Sequence, residues 1–276
     1  MKFDSRIVLA GALGAAALLA GLWLSVLLGI LFEKVFHKKM WTWLKVILAF
    51  IMAAGIFTAG IYWQLSRYTK ADESVNEALL SDDYVMVHPL ENGYFFDGWG
   101  EYNAILLYGE KRMQETAYAP LLKAIARQGI DCFLVEMPYA MAELDPERPK
   151  QIIDTYTWYN WYLMVHSSGN EEGCAFFEKY RDQFAGMILL DSVPLVQLEE
   201  NQLLISILTE NESSKNGAAY EEAMKQQKCR KRENTITSGS RAGFVTDGTE
   251  TGKETLSADL QRQLTAVTIR LSLLEQ

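Results

Sequence analysis

From residue 84 onward the sequence predicts an α/β domain, a mostly parallel sheet with helices on both faces, preceded by two long apolar helices. Two observations predict the sheet. Short apolar runs bounded by turn residues recur along this part of the chain, and most are followed by a stretch with helical spacing of its apolar residues. Strands of that kind are buried on both faces, which needs helices above and below them. A third observation, two apolar runs in the first 64 residues, predicts the leading helices.

Ile7 to Phe32 contains no charged residue. At about 1.5 Å per residue such a helix outspans a ~30 Å hydrocarbon core. Met40 to Gln64 is interrupted only by Lys45, whose head group can extend to an interface. Trp41 and Trp43 at one end, with Tyr62 and Trp63 at the other, suit the two headgroup levels. The first run is too long for the apolar core of a cleaved leader, and a second follows it. The expectation is a transmembrane hairpin over 1–64, with helices at about 7–32 and 40–64, held in the lipid bilayer. Ala10/Gly14 and Gly55/Ala59 have the spacing that lets backbones approach. Basic residues do not orient it: Lys34, Lys38 and Lys39 in the link oppose Lys2, Arg6, Arg67 and Lys70.

Of the chain's 26 Lys/Arg and 35 Asp/Glu, residues 65–276 hold 20 and 33. A domain this acidic excludes nucleic acid as a partner and disfavours anionic lipid headgroups. The basic run KCRKR, Lys228 to Arg232, reads as a solvated turn. Three cysteines, Cys132, Cys174 and Cys229, with no C-x-x-C, argue against a disulfide framework or a structural zinc. No metal or other cofactor is read from the sequence.

The elements follow in order. Residues 65–83 read as a short polar helical stalk. YVMVH and GYFFDG are strand-like. NAILLYG is a buried strand ending at Gly109, and YAPLLKAIARQGI is a helix with Leu121, Leu122, Ile125 and Ala126 on one face. DCFLVEMP is a strand stopped by Pro138, PKQIIDTYT a helix and WYLMVHS a strand. GNEEGCAFFEKYRDQF is a helix with Phe176, Tyr180 and Phe184 at i, i+4 spacing. GMILLDSVP and LLISILTEN are strands, AYEEAMKQQK a helix, ENTITSG a weak strand and SADLQRQLTAVTIRLSLL a closing amphipathic helix. Residues 84–276 therefore form one domain.

Sites on such sheets form at the C-terminal ends of strands. The loops there are Gly109–Gln114, Pro138–Leu144, His166–Gly169, Asp191–Pro194, Thr209–Ser214 and Ser238–Thr246. One of them completes Val165-His166-Ser167-Ser168-Gly169, one residue short of G-x-S-x-G, the sharp turn that lifts a serine nucleophile off a strand.

Four segments together resemble the α/β-hydrolase fold, and more narrowly its small membrane-anchored, hydrolase-like branch. They are LLYGEKRMQETAYAPLLKAIARQGIDCFLVEMPYAMA, WYLMVHSSGNEEGCAFF, GMILLDSVP and ISILTENES. With the tail, they cover roughly residues 100 to 276, and the resemblance rests on their order and spacing. It implies that Ser167 holds the nucleophile position and Glu212 the acid position. The backbone N–H of Ser168 would be one oxyanion donor. The second would come from the loop Gly109-Glu110-Lys111, where the resemblance implies a pair of glycines. Val165 and Asn170 stand where glycines are expected. The late histidine aligns with Arg241, which stays protonated and cannot take the serine proton. The chain's histidines are His37, His88 and His166; the first is in the membrane link, the second in an early strand far from the elbow in this topology, and the third should point into the packing. The resemblance also implies an extracytoplasmic soluble domain.

The leading expectation is an integral membrane protein whose soluble domain has lost its hydrolytic machinery and acts as a binding or scaffolding module. The alternative is an active serine hydrolase on an ester, thioester or amide, using Ser167, Glu212 and a base such as Lys111. A third class, a sensor whose hairpin pairs with another membrane protein, rests on the small-residue spacing.

Overall fold

The computed structural model describes residues 5–36, 41–249 and 256–274. The chain forms two compact units, residues 1–67 and 68–276.

The first unit contains α1 (Ser5–Phe36) and α2 (Thr42–Leu65). Gly21 meets α2 closely: a Cβ there would lie 2.8 Å from the Ala49 carbonyl oxygen and from the Ala53 methyl. Lys45 donates to Glu33 at 3.0 Å rather than extending alone. This close approach is made at a small residue outside the two expected pairs. Gly55 faces open space, and the side chains of Ala10 and Gly14 lie outside the described residues. Among the described residues, Trp43–Leu65 is long and apolar enough to cross a membrane.

The second unit is built on one eight-stranded sheet. In chain order its elements are α3 (Val75–Ala78), β1 (Met86–Leu90), β2 (Gly93–Asp97), β3 (Asn103–Tyr108), α4 (Ala119–Ala126), β4 (Asp131–Val135), α5 (Lys150–Thr155), β5 (Asn160–His166), α6 (Asn170–Lys179), β6 (Gly186–Leu190), β7 (Leu203–Thr209), α7 (Glu210–Gln226), β8 (Arg230–Ile236) and α8 (Ala258–Leu274). The strands lie in the order β1-β2-β4-β3-β5-β6-β7-β8. β2 runs antiparallel to both neighbours, and β4 through β8 are parallel.

Alternation along each central strand divides two cores. Ile105, Leu107, Tyr162 and Met164 face α4 and α8, among Leu121, Leu122, Ile125, Ala266 and Ile269. Ala104, Leu106, Leu163 and Val165 face the other layer, among Phe176, Phe177, Tyr220 and Met224. The same alternation sends His166 to the α4/α8 side and Val165 to the α6 side.

Three expectations are corrected. The stretch 65–83 holds a single helical turn and does not stand off as a stalk. Thr69 pairs with Met113, Asp72 N–H donates to Thr246, and Lys123 donates to the Leu80 carbonyl and pairs with Asp82. The basic run KCRKR is no turn: Cys229 is buried, and Arg230 begins β8, in register with Leu203 of β7. An edge strand has one face of its backbone open, so charged side chains are tolerated on it. Finally, no loop follows β7, because α7 begins at Glu210.

Candidate functional site

β5, β7 and β8 run parallel, so the segments after them emerge at one edge of the sheet. Ser167 follows β5 directly, the first turn of α7 follows β7, and Arg241 begins a 3₁₀ turn, Arg241–Phe244, after β8. The sequence-derived positions therefore meet at one edge. The side chain of Glu212 lies outside the described residues.

Ser167 has φ +50°, the left-handed conformation that costs a non-glycine residue about 1 kcal/mol or more. The strand turns into the Ser167–Gly169 3₁₀ turn and then α6 within three residues. This is the strained strand-to-helix elbow the motif predicts. It closes because Gly169 packs against the loop after β3, where a Cβ would collide with the Gly109 carbonyl. Val165, expected to crowd the turn, is accommodated by Gly173: a Cβ there would collide with Val165 Cγ1. The missing glycine of the motif has in effect moved to the facing helix, eight residues on. Among the described residues, Ser167 Oγ has no hydrogen-bond partner.

The loop after β3 has its backbone amides bonded from within. Glu110 N–H donates to the Tyr118 hydroxyl at 2.8 Å. Lys111 N–H donates to Ser168 Oγ at 3.1 Å. Tyr118 in turn lies 2.7 Å from His166 Nδ1. His166 is fully buried, edge-on to Phe244. Burial, helped by the Arg241 charge, pushes its pKa down to about 3. It is a neutral packing residue on the far face of the strand from α6, as alternation predicts. Tyr118 was not singled out from the sequence; its only signal there is a tyrosine at the start of the α4 run.

The charges around the elbow are paired. Arg241 makes a two-pronged ion pair with Glu110, with Nε 3.1 Å from Oε2 and an NH2 contact to Oε1. The acid in the loop after β3 and the arginine after β8 thus neutralise each other. Lys111 contacts Glu171 at 2.9 Å, Glu172 at 3.0 Å and Glu143 at 3.2 Å. Burial alone would lower its pKa, but these three carboxylates outweigh that and raise it. The ammonium is held charged, so Lys111 is a poor candidate for the non-histidine base. Glu171 and Glu172 sit on the first turn of α6 as expected, engaged by Lys111.

A further segment, 137–144, closes on this loop. Arg112 N–H donates to the Ala140 carbonyl at 2.7 Å, and Met137 N–H donates to Glu115 Oε1 at 3.1 Å. Arg112, Tyr139 and Ala140 all have φ between +50° and +60°, so the closure is strained. The cavity left among Gly109, Glu110, Lys111, Glu115, Met137, Ala140 and Gly169 has about 10 Å³. That holds one water molecule at most, whereas small-molecule pockets run to several hundred Å³. Burial pushes the Glu115 pKa up to about 7. Nearby, at the end of β6, buried Asp191 (φ +44°) accepts from Thr209 N–H at 2.6 Å and Thr209 Oγ1 at 2.8 Å, tying the strand ends together. Among the described residues no cluster could hold a metal ion.

A sheet in this strand order, with a serine on a strained turn after β5, defines the α/β-hydrolase fold. A family model described as alpha/beta hydrolase family matches residues 104–265, and the chain belongs to that family. Among solved structures, dienelactone hydrolase from Anabaena variabilis superposes with a TM-score of 0.50 at 12% identity, over 67% of this chain and 97% of that one. A bacterial heroin esterase gives 0.45 at 12% identity, over 72% and 89%. An M. tuberculosis esterase gives 0.48 at 8% identity, over 74% and 97%. At these identities the likeness is one of fold. No curated protein sequence matches the chain.

Proposed function

We propose that this is a membrane-anchored α/β-hydrolase-fold protein whose hydrolytic machinery is blocked and which serves as a binding or scaffolding module. One observation carries the reading: the backbone N–H groups of Glu110 and Lys111 are already bonded to Tyr118 and Ser168. Transition-state stabilisation in acyl transfer depends on free, preorganised donors at this place. Arg241 at the base position, the charged Lys111 and the near-absence of a cavity support the same conclusion. In this reading Ser167, Glu212 and Arg241 are positions inherited from a catalytic triad, and Ser168, Glu110 and Lys111 those of an oxyanion site.

The decisive experiment is labelling with a serine-directed fluorophosphonate. The expected result is labelling barely above a Ser167→Ala control. Strong Ser167-dependent labelling would overturn the proposal. It would favour the second reading, a serine hydrolase acting on an ester, thioester or amide, whose one supporting observation is the intact strain at Ser167.

Anchoring in the bilayer is supported by the apolar helix Trp43–Leu65. It predicts that the full chain resists alkaline extraction from membranes, while a chain lacking residues 1–64 does not. The extracytoplasmic placement of the second unit follows from resemblance alone. Protease added outside intact cells should digest it; protection there would reverse the assignment.

A further inference from the structure

We infer that a cleft at the carboxyl end of β4 binds a small zwitterion with an apolar side chain, the chemistry of a free aliphatic or aromatic amino acid. The cleft has about 200 Å³ and lies between the turn joining β1 to β2 and helix α5. It is a different cavity from the one beside the elbow, so it goes beyond the reading above and stands whether or not Ser167 reacts. Pockets for larger ligands run to several hundred Å³, so its occupant is small. The lining divides into an apolar floor and two charges. Leu90, Val135, Ile152 and Tyr156 supply the floor. Ring contacts with Phe95, Phe133 and Trp158 hold Tyr156 in place.

Arg148, just before α5, supplies the positive charge. Its Nε donates to Asp145 at 2.9 Å and its Nη1 to the Glu136 carbonyl at 2.8 Å. These bonds fix the guanidinium, and among the described residues Nη2 is left without a partner. Glu91, in the turn, supplies the negative charge. It is exposed and makes no ion pair among the described residues. Two opposite charges therefore line one small cleft without pairing with each other. Charge then selects the occupant. A plain carboxylate would suit Nη2 and the floor, but Asp145 already offsets the arginine and Glu91 stands beside it. It would also approach a domain with 33 acids against 20 bases. A plain amine would suit Glu91 and leave the guanidinium nitrogen unsatisfied. A zwitterion meets both charges, arrives with none of its own to spare, and turns its side chain to the floor. A few convergent polar groups over an apolar surface is the usual form of a small-molecule site, and guanidinium bonds to a carboxylate are among the stronger ones.

The test is isothermal titration calorimetry of the full chain in lipid nanodiscs with L-leucine. Two matched probes each remove one charge: leucinamide lacks the carboxylate, and 4-methylpentanoate lacks the ammonium. Leucine should bind saturably, one per chain. Each matched probe should bind roughly tenfold more weakly or worse, since it loses a hydrogen bond to a charged group. Glu91→Gln changes an exposed turn residue, so the fold is kept. It should abolish leucine's advantage over 4-methylpentanoate and leave its advantage over leucinamide. Arg148→Gln should do the converse, and Glu91→Gln decides the matter alone if that variant unfolds. The absence of saturable heat with both leucine and phenylalanine would overturn the inference. So would equal binding of leucine and 4-methylpentanoate by the unmodified chain, or a preference between them that Glu91→Gln leaves untouched. Ser167→Ala should bind leucine as the parent does, which separates this result from fluorophosphonate labelling; lost binding there would move the ligand to the elbow and sink the assignment.

Discussion

Arg241 and Glu110, 131 residues apart in sequence, are bound to each other by two contacts at the mouth of the elbow. Each makes the other acceptable in a partly buried place. Either charge alone would be left partly buried without its partner. Replacing both with Ala should cost less stability than the two single replacements added together, by about 1 kcal/mol, with less coupling at high salt because the pair is partly exposed. Denaturant midpoints of the four chains in low and high salt measure this. Arg241→His alone should not restore labelling of Ser167, since Tyr118 and Ser168 still occupy the loop amides.

Gly173→Ala should destabilise the second unit by about 1–3 kcal/mol, because the added methyl meets Val165 Cγ1 in a full core. Val165→Ala should offset most of that loss when combined with it, although a helical alanine is intrinsically favoured over glycine. Thermal unfolding of the three variants checks the coupling. Additive losses would mean that the two residues do not share the space.

His166 makes the fold weaker in acid. An unfolded imidazole binds its proton near pH 6.5, but here it does so only near pH 3. Between those values the unfolded chain holds more protons, so stability falls as pH drops from about 6.5 toward 3. His166→Gln should flatten this part of the stability–pH curve, as measured by denaturant titrations across the window.

Glu115 acts with the opposite sign. Its folded pKa is raised from 4.5 to about 7, so the folded state holds the proton longer and its relative stability falls as pH rises from about 4.5 to 7. Above pH 7 a charged carboxylate is buried beside Met137. Glu115→Gln keeps an acceptor for the Met137 N–H without that charge. The variant should be more stable than the parent at pH 8 and close to it at pH 4. A difference that does not change with pH would show that Glu115 does not titrate in this range.

Much of the fold is legible in local pattern. The five central strands are apolar on both faces, and the elbow motif sits where a strand pattern turns helical. What the pattern could not yield lies in contacts between distant residues. Val165 reads as a defect until Gly173 is seen facing it. Tyr118 reads as an ordinary helix residue until its hydroxyl is found between the Glu110 amide and His166. Lys111 reads as a free ammonium until three glutamates from two other segments are seen converging on it. The basic run before β8 has the composition of a turn, and only its pairing with β7 makes it a strand.

That same strand bears on how the molecule behaves when crowded. Among the described residues β8 is the last strand of the sheet, with no strand paired along its outer side, where another chain could add one. Arg230, Lys231, Arg232 and Glu233 succeed one another along it. Desolvating such a row of ions against a neighbour would be costly, so the strand resists zippering into extended assemblies.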